Sequence, residues 1–178
     1  RCRRCRGPIP MPGNGEERLS RARRALQAVT DPEIPVLTIA DLGVLRDVRL
    51  TAADEVEAVI TPTYSGCPAM RMIELEVETA LLRAAVGPVR VTTVLTPSWT
   101  TDWLSAEGRT KLTAYGIAPP AEGAAHGRAA LFAADPDIAC PRCGSTDTEK
   151  LAEFGSTACK AHWRCRTCLE PFDYFKCI

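Results

Sequence analysis

Four cysteines near the end of the chain form two Cys-x-x-Cys pairs, Cys140 with Cys143 and Cys165 with Cys168, with 21 residues between the pairs. Such a turn puts two thiolates on one side of a cation, and two turns complete a tetrahedral shell with bonds of about 2.3 Å. The separation slightly exceeds the usual upper limit of about 20 residues for a zinc ribbon. Structural zinc is the expected occupant, although iron–sulfur clusters also take four thiolates and spacing alone does not exclude one. Residues 140–178 are only 39 in number. That is too few for an adequate core, so metal must supply folding free energy. Phe154, Trp163, Phe172, Tyr174 and Phe175 are expected to form the core and interface of this region, and His162 reads as a surface or packing residue rather than a ligand. Cys159 and Cys177 are left over, as free thiols, substitute ligands or cluster members. Cys2 and Cys5 form a further pair that has no partner pair.

A ninth cysteine, Cys67, stands alone before Pro68, at the end of the stretch TPTYSGC (61–67). Proline suits the first position of a helix, which makes Cys67 the expected N-cap. The helix dipole and free amides there would lower its thiol pKa and leave a thiolate for metal or nucleophilic chemistry. An inert, buried cysteine is the competing reading. Asp31 and Glu33 lie in a Pro-braced loop, where their carboxylates offer hard ligands. His126 and His162 are the only histidines, and no Ser–His–Asp or Cys–His–Asn set and no glycine-rich phosphate loop is apparent. A histidine-dependent enzyme is therefore poorly supported.

The elements that must position these groups follow from periodicity. Residues 16–29 place Leu19, Ala22, Leu26 and Val29 on one helical stripe, which the prolines at 32 and 35 terminate. Residues 44–50 and 55–61 alternate as a hairpin around a turn at 51–54. A second helix over 68–85 buries Met70, Ile73, Val77, Leu81 and Ala84 and leaves Glu74 and Glu78 to water. A strand over 89–96 and a helix over 102–115, stopped by Gly116 and the prolines at 119 and 120, complete the pattern. The order α-β-β-α-β-α predicts an α+β fold, a small sandwich with helices on one sheet, followed by a β-rich zinc-ribbon-like domain. The expected divisions are a disordered Arg/Pro-rich tail over 1–15, the sandwich over 16–117, an Ala/Gly/Pro-rich linker over 118–139 and the ribbon over 140–178. On this reading the sandwich folds without the ribbon.

Charge narrows the function classes. The formal net charge is zero, with +6 over residues 1–24, −7 over the middle and +1 over 140–178. That balance argues against nucleic-acid binding driven by phosphate attraction. No stretch approaches the roughly 18 apolar residues of a membrane span. The basic start has no apolar run behind it and so does not read as a signal peptide. Nine cysteines in that setting point to metal or thiol chemistry in the cytoplasm. The sequence begins at Arg1 rather than Met, which leaves the start of the chain open.

Three stretches together resemble a known family: DPEIPVLTIADLG (31–43), the loop from Thr61 to Gly66-Cys67-Pro68, and the tail FGSTACK (154–160) with CLEPFDYFKC (168–177). They are similar to the PaaD-type (PaaJ) accessory proteins of the bacterial phenylacetyl-CoA oxygenase, or epoxidase, of phenylacetate degradation. The first domain is also similar to the metal–sulfur cluster assembly-factor domain of SufT-type proteins. The resemblance covers about residues 17–178. It implies an assembly role rather than catalysis, with Cys67 as the functional thiolate, Asp31 and Glu33 as nearby acids, and Cys140, Cys143, Cys165 and Cys168 as metal-binding knuckles. It raises the prospect of a metal or redox role for Cys159 or Cys177. The implied partners are the oxygenase, with its di-iron subunit, and its iron–sulfur reductase. The implied cargo is iron or an iron–sulfur cluster held transiently. A structural subunit of the oxygenase, or a thiol oxidoreductase pairing Cys67 with Cys159 or Cys177, are the alternatives. No nucleic acid or membrane partner is expected, and homodimerisation is left open.

Overall fold

The computed structural model describes residues 13–120 and 137–176. Residues 1–12 with Cys2 and Cys5, residues 121–136 with His126, and Cys177 lie outside the described residues, so most of the expected tail and linker does too.

The first helix, α1 (Gly15–Leu26), starts where the Asn14 side chain accepts the Glu17 amide at 2.9 Å. Its buried stripe holds Ala22 and Leu26, as periodicity requires, but also Arg18, which is 3% exposed. That burial is tolerated because every arm of the guanidinium is used. Nε donates to the Val86 carbonyl at 2.7 Å, Nη1 to Asp54 Oδ1 at 2.6 Å and Nη2 to the Asp54 carbonyl at 2.7 Å. Arg18 thereby ties α1 to two loops that sequence alone could not show to be neighbours.

The hairpin forms as expected, with β1 (Leu45–Leu50) antiparallel to β2 (Val56–Ile60). The second helix, α2 (Met70–Arg83), carries the chain to β3 (Val89–Thr93), which lies parallel to β2, so the sheet order is β1-β2-β3. Ile73, Val77 and Leu81 of α2 are fully buried with Ala22 and Leu26 against Val48, Val56, Ala58 and Ile60. The third helix, α3 (Ala106–Tyr115), begins four residues later than expected because Thr101–Trp103 makes a separate 3-10 turn. Ser105 caps it by accepting the Gly108 amide at 2.9 Å, and Gly116 closes it at φ 88°. This helix lies beside the 31–44 loop rather than on the open sheet. Its Lys111 ammonium reaches Asp41 Oδ2 at 2.8 Å, and the Ser105 amide donates to the Asp41 carbonyl at 2.8 Å.

The 31–44 loop is a core element despite its prolines. Ile34, Leu37, Ile39, Leu42 and Val44 are each at most 1% exposed. Gly43 is required there: it sits at φ 68°, and a Cβ would fall 2.6 Å from the Trp103 Cβ and carbonyl oxygen. The Trp99 indole seals the turn by donating to the Leu42 carbonyl at 2.7 Å.

The second sheet runs β4-β7-β6-β5, built from β4 (Ile117–Ala118), β5 (Thr148–Ala152), β6 (Lys160–Cys165) and β7 (Pro171–Phe175). The strand β4 directly follows α3 and pairs parallel with β7. The boundary drawn at 117/118 on composition therefore falls inside a strand of the ribbon's sheet. The two lobes also share side chains. Phe175 and Cys159 of the ribbon pack in the main core, and Phe175 meets Trp99 edge-on with ring centroids 6.1 Å apart. Trp163, Phe172 and Tyr174 form the ribbon's own small cluster with Ala118 and Ile138. Phe154, grouped with them by sequence, is instead 62% exposed and lies under the Lys176 ammonium at 4.1 Å. No helix among the described residues is long and apolar enough to cross a membrane.

Candidate functional site

The two Cys-x-x-Cys turns meet. One ligand atom from each of Cys140, Cys143, Cys165 and Cys168 lies within 4.8 Å of all the others. The Cys140 and Cys168 sulfurs are 3.7 Å apart, and those of Cys143 and Cys165 are 3.6 Å apart. A tetrahedron with metal–sulfur arms of about 2.3 Å has edges of about 3.8 Å, which those two separations match, so the donor set suits a tetrahedral thiolate metal. Each turn is followed by a residue of positive φ, Gly144 at 75° and Leu169 at 63°. The Cys168 amide, then the Cys143 thiol and the Thr167 amide, act on the Cys165 sulfur and against burial bring its pKa down to about 6. The ribbon's β6 begins at Lys160 and ends on Cys165 itself. His162 lies on that strand beside Asp173, with Nδ1 3.2 Å from Oδ1, outside the four-cysteine cluster.

The other end of β6 abuts a second group of chemical side chains. Cys159, immediately before the strand, is 6% exposed, and its thiol faces Glu33 Oε2 at 3.7 Å and Thr157 Oγ1 at 3.1 Å. Across the seam, Asp31 braces its own loop by accepting the Glu33 and Ile34 amides, each at 2.8 Å. Cys67 is half-buried in the turn leading to α2. Its amide donates to the Tyr64 carbonyl at 3.2 Å, and its carbonyl accepts the Met70 amide at 3.3 Å.

Cys67 differs from its expected setting in two ways. The helix starts at Met70 with Ala69 as N-cap, so neither Cys67 nor Pro68 occupies the helix-start position expected of it. The extra turn made by residues 64–67 moves the start of the helix downstream. The thiol pKa is also raised rather than lowered. Burial is the main cause; the Ala69 and Met70 amides oppose it as a helix start should, but the charges of Glu33 and Asp31 add to it. Burial likewise pushes Cys159 up to about 11, with Glu33 and Asp31 adding to the effect against Thr157 and Lys160. It raises Asp31 too, in spite of the two amides and the Lys160 ammonium. Tyr64 sits amid the group: burial first, then the charges of Cys67, Cys159 and Glu33, raise its phenol. The seam thus gathers Asp31, Glu33, Tyr64, Cys67, Cys159 and Lys160. Sequence reasoning pairs Asp31 and Glu33 with Cys67 only through a resemblance, and it misses Tyr64 and Lys160. No periodic signal marks those two, and their role depends on the ribbon docking where it does.

Fold and site together define a class: an iron–sulfur-cluster-assembly-type α+β domain joined to a zinc β-ribbon with a four-cysteine metal-binding cluster. Residues 19–95 match the family model described as iron–sulfur cluster assembly protein, and residues 124–176 match the PaaD zinc beta ribbon domain. The chain is 48% identical over 153 residues to a protein of Escherichia coli (strain K12) named as a putative subunit of 1,2-phenylacetyl-CoA epoxidase, covering 86% of this chain and 89% of that protein. It belongs to the PaaD family. It is also 32% identical over 91 residues to an Fe-S protein maturation auxiliary factor of Porphyromonas gingivalis (strain ATCC BAA-308 / W83), covering 50% of this chain and 85% of that protein. Among solved structures, the DUF59 domain of unknown function from Bacillus anthracis superposes with a TM-score of 0.50 at 27% identity, covering 55% of this chain and 93% of that one.

Proposed function

We propose that this protein is a cytoplasmic accessory maturation factor for the multicomponent phenylacetyl-CoA oxygenase, and not itself an enzyme. It presents iron or an iron–sulfur cluster as cargo through Cys67, while the zinc-stapled ribbon acts as the docking module for the oxygenase or its reductase. The observation that carries this reading is the placement of Cys67, a half-buried thiol in the turn leading to α2 that feels the charges of Glu33 and Asp31, in an assembly-type domain. A soft metal that binds there displaces the thiol proton. Cys140, Cys143, Cys165 and Cys168 would hold the zinc, which supplies no redox chemistry of its own.

A second reading, a permanent structural subunit of the oxygenase, is favoured by the name of the Escherichia coli relative, which calls that protein a subunit. Co-purification separates the two, because a maturation factor leaves the finished oxygenase and a permanent subunit stays with it. Cys67→Ser gives the sharper test. Serine keeps the turn's geometry at a cost of about 1 kcal/mol in stability but offers no thiolate for a soft centre. The variant is expected to be folded and zinc-loaded, and the oxygenase and reductase co-expressed with it are expected to be poor in iron and low in activity. Full metallation and activity of both partners would leave the structural reading ahead.

A further inference from the structure

We propose that the outer edge of β3 is where a client protein takes hold, by adding an extended, acidic segment to the first sheet as a fourth strand. This rests on the docking part of the reading above and deepens it, because it gives the assembly-type lobe a recognition surface of its own beside the ribbon.

Strand register decides which backbone groups are free. β3 pairs with β2 and ends the sheet, and no strand among the described residues lies beyond it. The Val56 amide donates to the Pro88 carbonyl at 2.8 Å, and the Val94 amide to the Ile60 carbonyl at 2.9 Å. Residues 88, 90, 92 and 94 therefore turn their peptide groups to β2, and Val89, Val91 and Thr93 turn theirs outward. Two other outer strands are guarded. On β1, Val48 donates its amide to Asp47 Oδ1 at 2.8 Å, and its carbonyl accepts Arg23 Nη2 at 3.2 Å, next to a bulge between Leu45 and Asp47. A second bulge interrupts β5 between Lys150 and Ala152. β3 keeps regular register throughout and has no internal proline, and such an open edge is a template for pairing.

What fits that edge is a single strand. Alternating amides and carbonyls along an edge are matched by another extended backbone. A second copy of this chain does not fit, because α2 lies over β3 itself, where Thr93 Oγ1 donates to Glu74 Oε1 at 2.8 Å. Paired strands lie about 4.8 Å apart whereas packed helices need about 8–10 Å, so two α2 helices would collide. An added strand sets alternate side chains beside Val89 and Val91 on the α2 face, and beside Arg90 and Thr92 on the other. Val89 and Val91 are partly buried against the core and Leu95 just beyond is 56% exposed, which calls for apolar residues on the first face. Arg90 is the only charge on β3, and its side chain is 62% exposed. Its nearest carboxylate, Glu57 at 3.9 Å, is already bonded by Arg49 and Thr92, which calls for an acid on the second face.

The test uses the full-length, zinc-loaded protein with purified oxygenase and, separately, purified reductase. Deuterium exchange is read residue by residue. In the free protein the Arg90, Thr92 and Val94 amides are expected to exchange slowly and those of Val91 and Thr93 fast. A bound partner is expected to slow the latter two by about tenfold or more. Thr93→Pro removes one outward amide and no bond to β2, and is expected to weaken binding by about tenfold with zinc content unchanged. Arg90→Gln is expected to weaken it by about threefold, and keeps the test decisive if the proline variant fails to fold, because that side chain is mostly in water. Slow Val91 and Thr93 amides in the free protein, or slowing that needs only a higher concentration of this protein, would overturn the proposal. So would partner binding that leaves both amides fast, or full affinity in both variants. Those last two results leave the maturation reading standing, since that reading is judged by the iron content of partners made beside Cys67→Ser. No binding to either partner would overturn the edge and the partnership together.

Discussion

Cys165→Ser is expected to strip the ribbon of its metal, from one equivalent of zinc to almost none, and to collapse the second sheet. Two of the sulfur–sulfur separations already match the edge length of a tetrahedral shell, all four sulfurs lie within 4.8 Å of one another, and Cys165 is fully buried at the end of β6. A serine hydroxyl there is neither soft nor ionised at neutral pH, so the shell loses a ligand rather than exchanging one. In zinc-finger peptides such shells supply roughly 10 kcal/mol or more of folding free energy at neutral pH. The ribbon's own cluster of Ala118, Ile138, Trp163, Phe172 and Tyr174 with two of the cysteines is too small to replace that. Cys143→Ser should behave in the same way. Elemental analysis with near-ultraviolet circular dichroism of the ribbon aromatics is the measurement. If both variants retain a full equivalent of metal, the four-cysteine assignment fails. Visible absorption bands in anaerobically purified wild type would instead indicate an iron–sulfur cluster.

The second large effect is expected at Phe175. Truncation to alanine removes a ring that is 2% exposed and lies edge-on to Trp99, at an interplanar angle of 87°. Phe-to-Ala changes in cores cost about 3–5 kcal/mol, which for a chain of this size lowers the melting temperature by about 10 °C or more. The informative result is where the loss shows. Because Phe175 and Cys159 belong to the core of the assembly-type lobe, both lobes should lose stability together in one cooperative transition. A chain ending at residue 120 should be destabilised in the same sense, as it lacks both side chains and the β7 partner of β4. Phe154→Ala, by contrast, should change little, because that ring is mostly in water. Two separate transitions, with only the ribbon's moved by Phe175→Ala, would show that the lobes fold independently.

Much of the fold is legible in the sequence because it depends on local order. The apolar stripe Ile73–Val77–Leu81 makes α2 amphipathic whatever surrounds it, and alternation with a turn at 51–54 makes the β1–β2 hairpin. Gly116 ends α3 because few other residues accept φ 88°. The ribbon cluster is legible for a related reason. A Cys-x-x-Cys turn fixes two donors locally, and two such turns at ribbon spacing supply a complete tetrahedral set, so composition and spacing nearly determine the site.

What the sequence does not determine is what long-range docking decides. Nothing local in the sequence marks Arg18 as buried, because Val86 and Asp54 reach it only in the fold. The linker's composition suggests a break at 118, yet β4 hydrogen-bonds to β7 near the far end of the chain, and no local pattern in two residues can announce that pairing. The Cys67 thiol reads as an activated helix cap because its immediate amides do lower its pKa. Its net shift is upward because burial and two carboxylates outweigh those amides, and burial and through-space charge are properties of the folded molecule. The same holds for Cys159, which is left over in a count of ribbon ligands and acquires Glu33 as a neighbour only when the ribbon closes on the first lobe. Residue types and spacing determined which chemistry this chain can do, and the packing of one lobe on the other decided which of those groups meet.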